Sequence, residues 1–518
     1  MNQSEKRLNT WKETLGTFLH PRVVTMLFLG FSAGIPILLI FSSLSLWLRE
    51  AGIERSAVTF FSWAALGYSF KFIWAPIIDK LPIPVFTRLL GRRRSWLLAA
   101  QLAVIIAICW MAFNNPEQGV QSLTFMALAA VMLGFSSATQ DIVIDAYRIE
   151  SAADDLQAMM ASTYIAGYRI AMLVAGAGAL YLASYFGSEK GAYSYHAWQT
   201  TYIIMAATML IGVATTFIIK EPEINKKNIT TLSPGDNIRL LLLFTFSVAG
   251  FIITFYFSGN MTEKLKNILG VWFGNIHLAG FLIETLRLGT GIIASIIIAG
   301  SAVMIKLVNI KIVQQTYVDP IKDYFHRYGM GVAWLLLAIV GLYRISDIVL
   351  GVISNVFYQD LGFTKTEIAG IVKTFGLFMT IGGGFIGGIL SIRYGVIPIL
   401  FAGGLLSSLT NLLFMILANA GHHIKMLYLV ISADNLSAGL AGAAFVAFLS
   451  SLTDIKFTAV QYAIFSSLMT LIPKIMGGYS GTIVDNLGYS TFFLITALIG
   501  IPVLLLVWLA GKYMVHNA

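Results

Sequence analysis

QSLTFMALAAVMLGFSSATQDIVIDAYRIE, residues 121–150, opens as a bilayer-crossing run and closes by placing two carboxylates in the same helix. Its first half is almost wholly apolar or small, and about 20 such residues cross the hydrocarbon core as a helix. Asp141 and Asp145 are four positions apart, so a helix presents both on one face, with Arg148 a turn further along. Acids at membrane depth are costly, and those that occur face an interior cavity and act there. The stretch therefore predicts a helical membrane protein with a polar interior.

Composition agrees. The chain has 518 residues, 57% hydrophobic and 11% charged, against roughly 25% charged in soluble domains. Hydropathy predicts about fourteen spans between residues 23 and 511. The first, from Val23, is too long and glycine-punctuated to read as a cleaved leader. Cys109 is the single cysteine, which excludes an intrachain disulfide or a cysteine metal cluster. The net charge of +9 reads as lysine and arginine held on the cytoplasmic side, not as a nucleic-acid surface. Lys6, Arg7, Lys12 and Arg22, then Lys80 and Arg88 with Arg92, Arg93 and Arg94, then Lys220, Lys226 and Lys227 fall in alternate loops. NNPEQGV, residues 114–120, has no positive residue and FGSEKGAYSYH, residues 186–196, has one. This alternation puts both termini in the cytoplasm, with loops too short for an extramembrane domain.

The expected organisation is a cytoplasmic segment 1–22, a six-helix half 23–220, a central region 221–330, a second six-helix half 331–511 and a cytoplasmic tail 512–518. The central region holds two extra spans and DPIKDYFHRYGM, an amphipathic stretch suited to the cytoplasmic membrane face. The halves align weakly, with Gln157 over Gln461 and Glu150 over Asp454. Asp141 and Asp145 fall opposite Phe445 and Leu449, so the acidic pair belongs to one half. Two six-helix repeats around a midplane cavity match the major facilitator architecture. The loop APIIDKLPIPVFTRLLGRRRSW, residues 75–96, resembles the acidic-then-basic loop that latches the cytoplasmic gate of major facilitators. That resemblance makes Asp79, Lys80, Arg92, Arg93 and Arg94 gating candidates.

Several segments are closer still to one family. FSAGIPILL (31–39), YSFKFIWAPIIDK (68–80), GRRRSWLLAAQ (91–101), SSATQDIVIDAYRIE (136–150) and IAGYRIAMLVAGAGALYLA (165–183) resemble the AmpG family. In the second half so do the segment 319–348, GIVKTFGLFMTIGGGFIGGIL (370–390), and stretches from DNLSAGLAGAAFVAFLS (434–450) to GGYSGTIVDNLGYSTFF (477–493). The resemblance covers most of both halves and lapses over roughly 236–310. It implies a proton-driven permease of the bacterial inner membrane that imports N-acetylglucosaminyl-anhydro-N-acetylmuramyl peptides, feeding wall recycling and, in some bacteria, β-lactamase induction.

The interior charges are then read as a site. Asp141 and Asp145 are the proton-coupling candidates, because burial and a nearby cation pull a carboxyl pKa in opposite directions. The alternative is a permanently charged pair held by Arg148, Arg169 or Lys71. Tyr68, Lys71, Gln140, Arg169, Arg344, Lys373 and Lys474 are the substrate-binding candidates: guanidinium forks for carboxylates, ammonium point charges, aromatic faces for sugars. Arg344 and Asp347 equally read as a self-satisfied pair. An enzyme is not expected. GFSAG at 30–34 matches a hydrolase pattern that needs a strand–turn–helix setting, whereas Ser32 falls in a span, and no ATP-binding loop occurs. No cofactor beyond the proton gradient is expected. The expected partners are membrane lipid and a small-molecule cargo, and the expected state is a monomer. The rival reading is a major facilitator carrying another solute, a drug or a sugar phosphate.

Overall fold

The computed structural model describes residues 16–53, 68, 70–152, 154–188, 192–222, 233–273, 276–364, 367–477 and 480–516. The predicted second span, 57–79, lies mostly outside them. The chain is built of helices. Eleven helical stretches among the described residues are long and apolar enough to cross a membrane. The expected spans at 277–305 and 457–483 are helical, as Ile276–Met304 and Thr458–Gly477, without entering that count.

In the first half, α1 is Pro21–Ile40, α2 Arg92–Ala112, α3 Val120–Ser151, α4 Asp154–Leu173, α5 Tyr195–Thr208 and α6 Leu210–Ile218. In the second, α7 is Asp319–Leu342, α8 Ile345–Asp360, α9 Gly376–Tyr394, α10 Val396–Ala420, α11 Ile424–Ser451, α12 Thr458–Gly477 and α13 Ser480–His516. Two of these are broken by glycine: α7 at Gly329 (φ 70°) and α13 at Gly488 (φ 75°). The break at Gly329 separates the amphipathic start of α7 from its apolar remainder, at the point where the composition changes.

Contacts divide the chain into two compact units. One comprises residues 1–75, 82–225 and 324–518, and so holds both halves. The other comprises 76–81 and 226–323, with helices Pro234–Phe257, Gly259–Phe273 and Ile276–Met304 packed on one another.

Within the first half, α1 and α4 pack backbone to backbone. A Cβ on Gly167 would sit 1.9 Å from the Leu27 carbonyl oxygen, and one on Gly30 2.2 Å from that of Tyr164. Without hydrophobic drive between helices in lipid, such close approach supplies the association. Trp47, stacked on Trp198 with centroids 5.8 Å apart, and Tyr202 fill the core at one end.

The halves meet along α4, which packs on α9 and α11, and along α3, which packs on α12. Ser162 Oγ of α4 donates to the Gly384 carbonyl of α9 at 2.7 Å. Ile149 of α3, 8% exposed, joins the second half's hydrophobic core with Phe445, Phe448 and Phe465.

Candidate functional site

At the end of the bundle that carries Arg92–Arg94, Gly91 takes φ 91° ahead of α2. The bend brings the Glu221 carboxylate under the helix start, where it accepts from the Arg93 and Arg94 backbone N–H groups at 2.8 and 3.1 Å. Orphan N–H groups and the helix dipole both favour an acid there. Arg94 in turn donates to the Thr216 and Phe217 carbonyls at the end of α6, both at 2.9 Å. Arg93 is fully buried and grips Glu150: its Nε lies 2.9 Å from Oε2, and its Nη2 also bonds to Oε1. Arg92 adds a contact to Glu150 at 3.3 Å. Glu150 thus grips the side chains of Arg92 and Arg93, and Glu221 the backbone of Arg93 and Arg94. Asp79 is buried and Lys80 ends the helix Ala75–Lys80, both within the second compact unit.

About two turns up α3 from Glu150, the sequence's acidic pair occupies the interior. Asp145 is held from two sides, with Lys71 Nζ 3.8 Å from Oδ2 and Arg148 Nη2 3.4 Å from Oδ1. Lys71 is 7% exposed, on the 3₁₀ turn Lys71–Ile73. Asp141 has no cation within ion-pair distance among the described residues. Tyr164 lies beside it, while its buried Oδ1 accepts from no described residue. Tyr68, whose hydroxyl donates to Ser137 Oγ at 2.7 Å, Tyr168 and, from the second half, Tyr462 complete the surroundings. Tyr68, Lys71, Asp141 and Asp145 thus lie together in this structure. Tyr164, Tyr168 and Tyr462 were not singled out by the sequence reading, since tyrosine in a span carries no pattern of its own.

A second polar group lies between α4 and the second half's α8, α10 and α11. Arg169 and Arg344 come from opposite halves and are close enough for their charges to repel. Arg344 lies 3.8 Å from Asp347, which also accepts from Ser407 Oγ. Asp434 accepts from Thr410 Oγ1 at 3.5 Å and senses the charge of Asp347. Arg169 meets only the Met172 sulfur, at 3.9 Å, among the described residues. Gln140 is set apart: fully buried, it donates to Ser32 Oγ of α1 at 3.0 Å, inside the first half. Lys373 is exposed on the π-helical stretch Ile368–Phe375, and the Lys474 side chain lies outside the described residues. Ser32, the serine of the hydrolase-like pattern, is wholly buried in mid-helix, with no strand or turn beside it.

The aligned glutamines sit in matching places. Gln157 donates to the Arg148 and Ala152 carbonyls at 3.2 and 3.0 Å, closing the end of α3. Gln461 accepts from the Asp454 N–H at 2.7 Å and from Arg327 at 3.0 Å beyond the end of α11.

The Major Facilitator Superfamily model matches residues 23–342 and 335–516. The putative transporter AmpG 4 of Rickettsia felis is 31% identical over 95% of this chain and 97% of its own length. The chain belongs to the AmpG family of the major facilitator superfamily. The anhydromuropeptide permease of Escherichia coli K12 is 28% identical, covering 95% of this chain and 80% of that relative. Among solved structures, the proton:xylose symporter XylE bound to 6-bromo-6-deoxy-D-glucose superposes with a TM-score of 0.57 at 12% identity, covering 96% of each chain. FucP in its outward conformation gives 0.56 at 10% identity, over 94% of this chain and 97% of its own. These likenesses show the major facilitator fold. This AmpG-family chain is a multi-pass membrane transporter and not an enzyme.

Proposed function

We propose that this protein imports anhydro-muropeptides across the bacterial inner membrane in symport with protons, as a monomer with both termini in the cytoplasm. The observation that carries the coupling is the unequal treatment of the two acids. Asp145 is shared between Lys71 and Arg148, whereas Asp141 faces tyrosines with no cation within 4 Å among the described residues. Asp145 then serves as a counter-ion and Asp141 as the group that exchanges the proton. The cargo follows from the family relatives named as permeases of this ligand. Arg169 and Arg344, cations from opposite halves, suit the carboxylates of a wall peptide. Tyrosine faces suit its sugars. No bound cofactor takes part, and the imported fragments enter wall recycling. The positive-inside rule supports a cytoplasmic position for the Arg92–Arg94 end, the end at which Glu150 of α3 meets Thr458 of α12.

The test is uptake of labelled anhydro-muropeptide into cells lacking their own permease, with the intact protein or Asp141→Asn, with and without a protonophore. Uptake that requires the gradient and is lost in the variant supports the proposal. No uptake by intact protein that has reached the membrane rejects the cargo and favours a carrier of another solute.

A further inference from the structure

Away from the acidic pair, four polar side chains meet inside the first half where α1, α2, α3 and α6 pass one another. Ser32 of α1, Gln101 of α2, Gln140 of α3 and Thr216 of α6 are each 0% exposed. Gln140 Nε2 donates to Ser32 Oγ at 3.0 Å, and Thr216 Oγ1 donates to Gln101 Oε1 at 2.9 Å. The other end of each amide is left over. Gln140 Oε1 and Gln101 Nε2 are buried and have no hydrogen-bond partner among the described residues. Turning either amide over exchanges its two atoms and still leaves one of them unpaired. Buried polar groups of this kind are met by a partner or by ordered water.

The two amides border one recess. A Cβ on Gly212 of α6 would fall 2.2 Å from Ser32 Oγ and 3.0 Å from Gln101 Nε2. The glycine thus lets Ser32 and Gln101 approach the same stretch of α6, and Ser32 is the group to which Gln140 donates. One leftover atom is an acceptor and the other a donor. Water both donates and accepts, so it satisfies the pair whichever way each amide is turned. A cation would leave the N–H group unmet, and an anion the carbonyl.

We propose that this crossing is a built water site, with ordered water held between Gln101 Nε2 and Gln140 Oε1 beside the Ser32 hydroxyl. Buried water typically makes about three hydrogen bonds, and these three groups supply them. The site lies apart from the cargo and proton groups, since Gln140 faces Ser32 and not the acids. Its place on α3 gives it a structural task, because Asp141 follows Gln140 directly. At this level the direct bonds run in two pairs, α3 to α1 and α6 to α2. The water closes the two pairs into one unit.

The experiment detects the water itself. X-ray radiolysis splits bound water into hydroxyl radicals on the spot, and a methionine beside it is oxidised to the sulfoxide. Met209, 0% exposed, has its sulfur 4.0 Å from Ser32 Oγ. Met111 and Met126, also 0% exposed, sit in the apolar core of the same half and serve as internal controls. The intact protein in liposomes is irradiated, and oxidation at each methionine is read by peptide mass spectrometry. Met209 is expected to oxidise with dose while Met111 and Met126 stay at background. In Gln101→Leu/Gln140→Leu that signal is expected to be lost, because leucine offers water no bond. Melting temperatures give a second reading. Each single substitution strands the opposite amide, so both singles are expected to melt below the parent, and the double variant to lose less than the two singles together. A Met209 as unreactive as Met111 in the intact protein overturns the site, whether or not any variant folds. Oxidation of Met209 that persists in the folded double variant, or strictly additive losses, overturns the assignment of the water to the two amides.

Discussion

Thr458 Oγ1 donates to Glu150 Oε1 at 2.6 Å, so the carboxylate that gathers Arg92 and Arg93 of the first half also holds the second. One acid thereby serves an ion cluster and a contact between halves. Its loss has a larger cost than a surface ion pair carries, because the side chains of Arg93 and Glu150 are both fully buried.

Glu150→Gln is expected to destabilise the protein by about 3–5 kcal/mol, since the buried Arg93 guanidinium loses the carboxylate it grips. Thr458→Val removes one neutral-donor bond and is expected to cost about 1 kcal/mol. Thermal unfolding in detergent ranks the two. Equal effects would mean that the cluster carries no special weight.

Gly91→Ala meets two obstacles at once. The backbone there is left-handed, at φ 91°, and a Cβ would lie 2.5 Å from the Glu221 carboxyl carbon. A loss of about 1–3 kcal/mol is expected, read as a lower melting temperature. Gly167→Ala is expected to be worse and to reduce the yield of folded protein, because its added carbon meets the Leu27 backbone carbonyl, which cannot swing aside.

Arg169 and Arg344 are expected to separate function from stability. Arg169 has no acidic partner among the described residues, so Arg169→Ala removes no ion pair and leaves the melting temperature near that of the parent. Uptake at low cargo concentration is expected to fall about tenfold, the scale of one charge-assisted hydrogen bond. Arg344→Ala strands Asp347 and is expected to lower both uptake and stability. A large stability loss in Arg169→Ala would show that its role is structural.

The pH response at the opposite end has a definite sign. The Thr364 backbone N–H donates to Glu367 at 2.8 Å, and its hydroxyl and His422 add to this. Together they hold the Glu367 carboxyl below its usual pKa. A lowered pKa in the folded state contributes stability above the ordinary carboxylate range, and that contribution is lost as pH falls through the lowered value. Between about pH 6 and about pH 3, the melting temperature is expected to drop less steeply in Glu367→Gln than in the parent. An identical slope in both would remove this pair from the acid response.

Much of the fold was legible because lipid imposes it: a spanning backbone must satisfy its own hydrogen bonds, so apolar runs become helices. The four-residue spacing of Asp141 and Asp145 placed both in one interior region, and the alignment of Gln157 with Gln461 located equivalent helix ends. The arginine cluster was legible as basic, but Glu150 and Glu221 beside it were not. Glu150 and Glu221 lie 57 or more residues from Arg93 along the chain, and nothing local marks them as its partners. Gln140 shows the reverse failure. It adjoins Asp141 in sequence, yet a step of about 100° around a helix turns it toward Ser32 and away from the acids. Thr458 was invisible for the same reason as the tyrosines, since hydroxyls in spans are common and mostly bond to their own helix.

Ile149 gives closure between the halves a temperature. It is seated among the second half's phenylalanines at 8% exposure, so water must wet it each time α3 parts from that half. Apolar burial weakens on cooling, whereas the ionic ties beside it do not share that dependence. Chilling should therefore thin the closed population from its greasy side first, and a transporter poised by charge in the warm would be held in the cold by its ion pairs alone.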